Sequence, residues 1–288
     1  MSQKLVTVYG ATGAQGGSVV RALLRDKSSS FTIRGITRSP DSEAAKALAV
    51  EGVEIVKVNK FDKTELAAAF KGSWAVFVNT NSATNSSDAH DISPSDLPDC
   101  PPKRKLPSLR SIVVNPAYYM ENFNAKEWAV YLGGLPFILD SEGYYTLSWP
   151  LWGGSNEVPL IAIERDFGDI VHGVLLNPGL LCGKTIQAVS QSRALEEVPN
   201  DFEHATGKKA RFVPLEDWRL LKTDGTRVMQ TLKEMFGFCY VSGGLYYGEP
   251  NNVDLSASLK QAAAAAQGRS GKDTCLYSLS QYFKDTFA

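Results

Sequence analysis

The chain has 288 residues, 43% of them apolar and 21% charged, with a formal net charge of −1. That length buries one large core, or a core plus a smaller lobe. A balance so close to neutral gives no electrostatic footprint for nucleic acid or an anionic membrane, and no apolar run approaches the ~20 residues that a bilayer crossing needs.

The front of the chain carries the strongest pattern. Leu5 to Tyr9 is a short apolar, β-branched run, as in a buried parallel strand. Gly10, Gly13 and Gly16 follow, and from Ser18 the apolar positions Val19, Val20, Leu23 and Leu24 fall at helical spacing. Strand, glycine turn and helix in that order point to a dinucleotide site. The first glycine allows the sharp turn, the second lets a pyrophosphate approach the backbone, and the third lets helix and strand pack closely. The helix then aims unpaired N–H groups and the positive end of its dipole at the phosphates.

Phe31 to Ile36 is a second strand ending in Thr37-Arg38-Ser39-Pro40. This tip lies about 20 residues past the glycines, where such folds read the adenosine ribose. An Asp or Glu there would hold the 2′-hydroxyl of NAD(H). A guanidinium suits a 2′-phosphate instead, so Arg38 points to NADP(H) over NAD(H). Ser42 to Glu51 reads as a helix, Val53 to Val58 as a strand, Lys63 to Phe70 as a helix and Ala75 to Val78 as a fourth strand, ending in Asn79-Thr80-Asn81. The alternation predicts a parallel, doubly wound sheet with its ligand at the C-terminal strand ends.

Ser82 to Pro107 follows neither period and is rich in Ser, Asp, Asn and Pro, which is unusual inside a compact domain. Its Lys103-Arg104-Lys105 cluster suits a solvated loop better than a localisation signal. Leu109 to Asn115 reads as a strand, followed by Tyr118-Tyr119-Met-Glu-Asn122-Phe123. The aromatic-rich Tyr144 to Trp152 reads as a strand or a pocket wall. Leu160 to Glu164 and Lys184 to Val189 read as strands. Helices are expected from Asp166, over Leu195 to Thr206, within Leu215 to Phe236, and over Leu255 to Gln267.

Cys100, Cys182, Cys239 and Cys275 are scattered, and His90, His172 and His204 stand apart, so no metal site is expected. Thiols in this pattern suit a reducing compartment. The first strand starts too soon for a signal peptide. The expectation is a cytoplasmic protein that could also enter the nucleus. Gly179 to Thr185 mimics a P-loop but is one residue short and precedes a strand, and no Gly-x-Ser-x-Gly elbow occurs.

Taken together, Gly10-Ala-Thr-Gly-Ala-Gln-Gly-Gly-Ser18, Thr37-Arg38-Ser39, Tyr119-Met-Glu-Asn-Phe123, Asp166-Phe-Gly168 and His204-Ala-Thr-Gly-Lys-Lys209 resemble the NmrA-like family, an atypical branch of the short-chain dehydrogenases. Phe236-Gly-Phe and Gly243-Gly-Leu-Tyr-Tyr-Gly248 resemble its late segment. The resemblance implies an α/β fold: a Rossmann-type sheet over 1–190, incomplete around 82–107, and a smaller α+β C-terminal lobe over 191–288.

By the same resemblance, Gly10, Ala11, Thr12, Gly13, Ala14, Gln15 and Gly16 would cradle the pyrophosphate. Thr37, Arg38, Ser39 and Asp41 would flank the adenosine ribose and its phosphate. Val58 and Asn59 would lie by the adenine, Asn59 standing where relatives often have Asp. Asn79, Thr80 and Asn81 would lie by the nicotinamide-side ribose, and Tyr119 and Asn122 beside the substrate pocket.

One departure stands out. Relatives place a helix, a fifth strand, a further helix and a lysine near the nicotinamide where only Ser82 to Pro107 stands here. The chain also has no Tyr-x-x-x-Lys, the pair that orients a hydride acceptor in short-chain dehydrogenases. No catalytic residue is therefore assigned. Two functions follow: an NADP(H)-dependent oxidoreductase acting on a small organic, secondary-metabolite-type substrate, or a redox-sensing regulator that binds the dinucleotide without turnover and signals to a transcription factor. The lost interval adds a third reading, a copy with little function left. Without the fifth strand, either the Leu109–Asn115 strand moves beside the fourth, or the sheet keeps a gap.

Overall fold

The computed structural model describes residues 3–28, 30–59, 62–79 and 110–288. The Ser82–Pro107 reading, with its basic cluster, lies outside the described residues, as do Thr80 and Asn81.

The first half alternates as expected: β1 (Lys4–Tyr9), α1 (Ala14–Leu24), β2 (Phe31–Thr37), α2 (Glu43–Val50), β3 (Glu54–Lys57), α3 (Lys63–Phe70) and β4 (Ala75–Phe77). The strands form a parallel sheet in the order β3-β2-β1-β4. β1 sits inside this sheet, which is why Val6, Thr7 and Val8 are buried on both faces. Capping closes the helices locally. Ser42 Oγ accepts from Ala45 N at 3.3 Å at the start of α2, and Asp62 accepts from Thr64 N and Glu65 N at 2.9 Å at the start of α3.

The next strand is β5 (Val113–Pro116), and it does not splice onto β4. It pairs in parallel with β9 (Thr185–Ala188) in a separate two-stranded sheet, and no ladder joins β4 to β5 among the described residues. The sheet is not closed there.

The remaining strands are β6 (Tyr118–Tyr119), β7 (Tyr145–Leu147), β8 (Glu157–Ile161), β10 (Gln191–Ala194) and β11 (Ala210–Phe212). They form the sheet β10-β8-β6 and the pair β11-β7. The remaining helices are α4 (Lys126–Ala129), α5 (Gly168–Leu176), α6 (Glu197–Thr206), α7 (Arg227–Val241), α8 (Asp254–Ala266) and α9 (Leu279–Phe287). One core gathers Val6, Val8, Val19, Val20 and Phe167 between α1, α5 and the first sheet. A second gathers Tyr118, Phe123, Trp149, Trp152, Phe202, Phe236 and Phe283.

Three segments differ in part from their sequence patterns. The strand read over Leu160 to Glu164 ends at Ile161, and the chain then makes a wide helical turn over Ile163–Phe167 before α5. The helix within Leu215 to Phe236 starts only at Arg227. Gly225 is at φ +79°, and Thr226 caps the helix by accepting from Met229 N. Of the two alternatives for Tyr144 to Trp152, the strand is found as β7, and Leu147, Trp149 and Trp152 are fully buried. Trp149 stacks on Phe123 with centroids 5.7 Å apart, and Trp152 meets Phe236 edge-on at 5.6 Å.

Candidate functional site

The glycine turn forms as its spacing requires. Gly10 takes φ +73°, and the amides of Gly10 and Ala11 both donate to the Ile36 carbonyl at 3.1 Å, tying the turn to the end of β2. Gly13 N then donates to Gly10 O at 2.9 Å and closes the loop. A Cβ on Gly16 would lie 2.1 Å from Gly10 O, and one on Gly13 would lie 3.3 Å from the same atom. Gly13 caps α1 without a side chain to offer, so the first amides of the helix have no side-chain acceptor. Thr12, Gly13 and Ala14 are exposed at this end. The donor set and the close backbone approach fit a pyrophosphate.

The end of β2 completes one wall. Thr37 is buried, with its hydroxyl 3.2 Å from that of Thr12, and it accepts from Ser39 N at 3.2 Å. Arg38, Ser39 and Asp41 are exposed around that turn. An exposed cation beside two hydroxyls fits a phosphate monoester.

Val58 is buried against Ile36 and Ala69, with its amide on Thr37 O at 3.2 Å. Asn59 is exposed, and its backbone and side-chain nitrogens both donate to the Glu65 carboxylate, at 2.7 and 3.2 Å. Asn79 is half-buried just past β4.

Tyr119 and Asn122 have different surroundings. Gln15 Nε2 donates to the Tyr119 hydroxyl, joining the glycine turn to a segment 104 residues further along. Tyr119 is half-buried. Burial raises its phenol pKa, the Gln15 hydrogen bond opposes that, and the nearby Glu121 carboxylate adds to the rise. Asn122 instead bonds the phenol of the fully buried Tyr118, whose pKa burial pushes well above its ordinary value. Glu121 accepts from Glu164 N at 3.0 Å, and burial raises its carboxyl pKa.

Several long-range contacts are not marked by any local period in the sequence. Ser18 Oγ donates to Ile163 O at 2.6 Å and accepts from Gly168 N at 2.9 Å, fixing the Asp166-Phe-Gly168 segment on α1. Asp166 is buried and takes the Lys260 ammonium, the Ser190 hydroxyl and Tyr277 N. Asp169 binds Arg25, Arg269 and Gln267. Among the described residues no cluster of His, Cys, Asp and Glu could hold a metal ion, and no helix is long and apolar enough to cross a membrane. Cys182, Cys239 and Cys275 are free thiols.

Comparison with known proteins adds the following. The model of the NmrA-like family matches residues 2–92. The NmrA-like family domain-containing oxidoreductase FrzB of Cladobotryum sp is 37% identical over 332 aligned positions, covering 99% of this chain and 98% of that protein. A second such oxidoreductase, hkm9 of Aspergillus hancockii, is 36% identical and covers 99% and 97%. The 332 positions of the first alignment exceed the 288 residues here, so that relative holds stretches without a counterpart in this chain.

Among solved structures, NmrA, a negative transcriptional regulator, in complex with NADP aligns with a TM-score of 0.66 at 16% identity, covering 100% of this chain and 96% of that one. An NADPH-dependent quinone oxidoreductase from Escherichia coli aligns at 0.60 and 16%, covering 98% and 100%. These two likenesses establish the fold.

Proposed function

The chain belongs to the NmrA-like family, and from that premise we propose that it is an NADP(H)-dependent oxidoreductase of a small organic, secondary-metabolite-type substrate. The observation that carries this reading is the glycine turn docked on Ile36 beside the exposed Arg38. The curated relatives are themselves named oxidoreductases along nearly their whole length, and one structural neighbour holds NADP.

In this reading the reduced dinucleotide supplies a hydride, and the protein supplies binding and orientation. Gly10 to Gly16 cradle the pyrophosphate, with the first amides of α1 as donors. Arg38 meets the 2′-phosphate, helped by the hydroxyls of Thr37 and Ser39, while Asp41 borders the ribose. Val58 forms an apolar floor for the adenine. Asn59, already engaged by Glu65, offers its exposed edge alone. Asn79, with Thr80 and Asn81, flanks the nicotinamide-side ribose. Tyr119 faces the turn, whereas Asn122, bonded to Tyr118, has a supporting role.

Calorimetric titration with NADPH, NADP and NADH tests the binding, and loss of the reduced-nicotinamide absorbance across a panel of carbonyl and imine compounds tests the turnover. Micromolar NADPH binding with oxidation by some member of the panel is expected. Failure of the folded protein to take up either coenzyme at millimolar concentration overturns the reading.

A second reading, the regulator that binds without turnover and signals to a transcription factor, draws on one specific observation. The aromatic segment that would have walled a substrate cavity is buried, with Trp149 stacked on Phe123 and Trp152 edge-on to Phe236. Equal, tight binding of NADP and NADPH with no oxidation by any compound of the panel selects it.

A further inference from the structure

We propose that Tyr119 is the proton donor of the reaction and that Gln15 of the glycine turn is its positioning residue, an inference that rests on the oxidoreductase reading above. The geometry makes the assignment. Gln15 is the second residue of α1, and its side-chain amide donates to the Tyr119 oxygen. With that lone pair occupied by a donor, the single phenolic hydrogen is left to point at another acceptor. The residue is half-buried, and its hydroxyl meets Gln15 beside the turn that would hold the dinucleotide.

Among the described residues Glu121 and Tyr246 also stand near Tyr119, Tyr246 with its ring stacked on Trp152 at 5.9 Å, whereas the other acids are engaged or distant. Tyr118 is buried and tied to Asn122. Glu121 turns one carboxylate oxygen onto the Glu164 amide. Cys239 is fully buried in the aromatic core. His172 pairs with Asp26, just beyond the far end of the 11-residue α1, about 16 Å along the helix from the glycine turn.

A carbonyl carbon accepts hydride, with its electron pair, from the reduced nicotinamide dinucleotide, and the C–O π pair moves onto oxygen. The Tyr119 O–H bond breaks, and its proton forms the new O–H bond of the alcohol. The phenolate left behind accepts the Gln15 hydrogen bond and recovers a proton from water. A neutral amide stabilises that phenolate less than a lysine ammonium would. Tyr119 therefore stays protonated through neutral pH, which suits donation in the reducing direction and not abstraction in the oxidising one.

The test uses the full chain labelled with tyrosine carrying 13C at Cζ. Of the eleven tyrosines, the resonance lost in Tyr119→Phe is that of Tyr119. Adding NADP should shift this resonance, and Gln15→Leu should raise its titration midpoint. Tyr119→Phe should keep NADPH affinity within about threefold while single-turnover oxidation of bound NADPH by 9,10-phenanthrenequinone falls roughly 100-fold, within the range of general acid catalysis.

A Tyr119 resonance indifferent to both NADP and Gln15→Leu overturns the proposal, whether or not the quinone is turned over and whether or not Tyr119→Phe folds well enough for kinetics. So does wild-type turnover by Tyr119→Phe in a protein that binds NADPH normally, and the oxidoreductase reading then survives. Absence of NADPH binding in the wild type ends both.

Discussion

Gly168 lies so close to Ser18 that a Cβ on it would fall 2.1 Å from the Ser18 carbonyl oxygen, while its own amide donates to Ser18 Oγ at 2.9 Å. This contact seats α5 on α1 and so fixes the helix whose N-terminus borders the candidate site. Gly168→Ala should cost roughly 3 kcal/mol, since the obstacle is backbone and cannot swing away. Ser18→Ala leaves a buried amide without its acceptor and should cost about 1–3 kcal/mol. Urea unfolding checks both, as a lower midpoint at unchanged slope. Wild-type stability in Gly168→Ala would show that the two helices part easily.

The three turn glycines should not respond alike. A Cβ on Gly16 meets Gly10 O at 2.1 Å, whereas one on Gly13 meets it at 3.3 Å. Gly16→Ala must push α1 off the turn and should abolish measurable NADPH binding together with some stability. Gly13→Ala needs a shift of a few tenths of an ångström and should weaken binding about tenfold at most. Calorimetry on both variants decides, and equal losses would mean that the close approach at Gly16 is not what shapes the site.

Arg38→Ala should weaken NADPH roughly 10- to 100-fold and NADH hardly at all, because a charge-assisted bond to a 2′-phosphate is lost only with the former. The preference should also shrink as salt is raised, since Arg38 is exposed. Equal losses for the two coenzymes would remove Arg38 from the phosphate.

Only some of these features are carried by the sequence itself. The turn from Gly10 to Gly16 and the tip at Arg38 are legible because local sterics and charge decide them. The Gln15–Tyr119 bond is not, since it spans 104 residues and no local period marks it. The aromatic run ending at Trp152 misleads for a related reason. A ring facing a cavity and a ring facing another ring have the same composition, and only the arrival of Phe236 and Phe283 from distant segments fills the space. That β5 makes no ladder with β4 among the described residues is compatible with one of the two outcomes that the sequence allows, because Ser82 to Pro107 lacks a strand pattern. The choice falls to β5, which gains four paired residues on β9.

The buried pair of Asp166 and Lys260 should be costly to break from one side. Lys260 is 4% exposed and Asp166 fully buried, so Lys260→Met leaves a carboxylate with only the Ser190 hydroxyl and Tyr277 N. A loss of about 3–5 kcal/mol is expected. Asp166→Asn combined with Lys260→Met removes both charges and should recover some of that loss. A double variant as unstable as the sum of the single ones would mean that the two groups are not coupled.

His172 gives the fold its dependence on mild acid. Its ring is fully buried against Phe31, 5.8 Å away edge-on, with Nδ1 3.0 Å from Gln267 Nε2 and Nε2 3.6 Å from the Asp26 carboxylate. Burial lowers its pKa; Asp26 and Asp169 oppose that shift and Arg25 adds to it. The folded pKa therefore lies below the unfolded value of about 6.5. The neutral ring contributes stability that is fully present above that pH and is lost as pH falls from there through the folded value. Asp169 acts in a lower window: burial alone would raise its pKa, yet Gln267, Arg25 and Arg269 hold it below the ordinary range. Its contribution is thus lost only under stronger acid. Between pH 7 and 5 the unfolding free energy should fall, with a slope from this one group bounded by about 1.4 kcal/mol per pH unit. His172→Asn, whatever its absolute stability, should flatten that slope. An unchanged slope in the variant would place the acid sensitivity elsewhere in the protein.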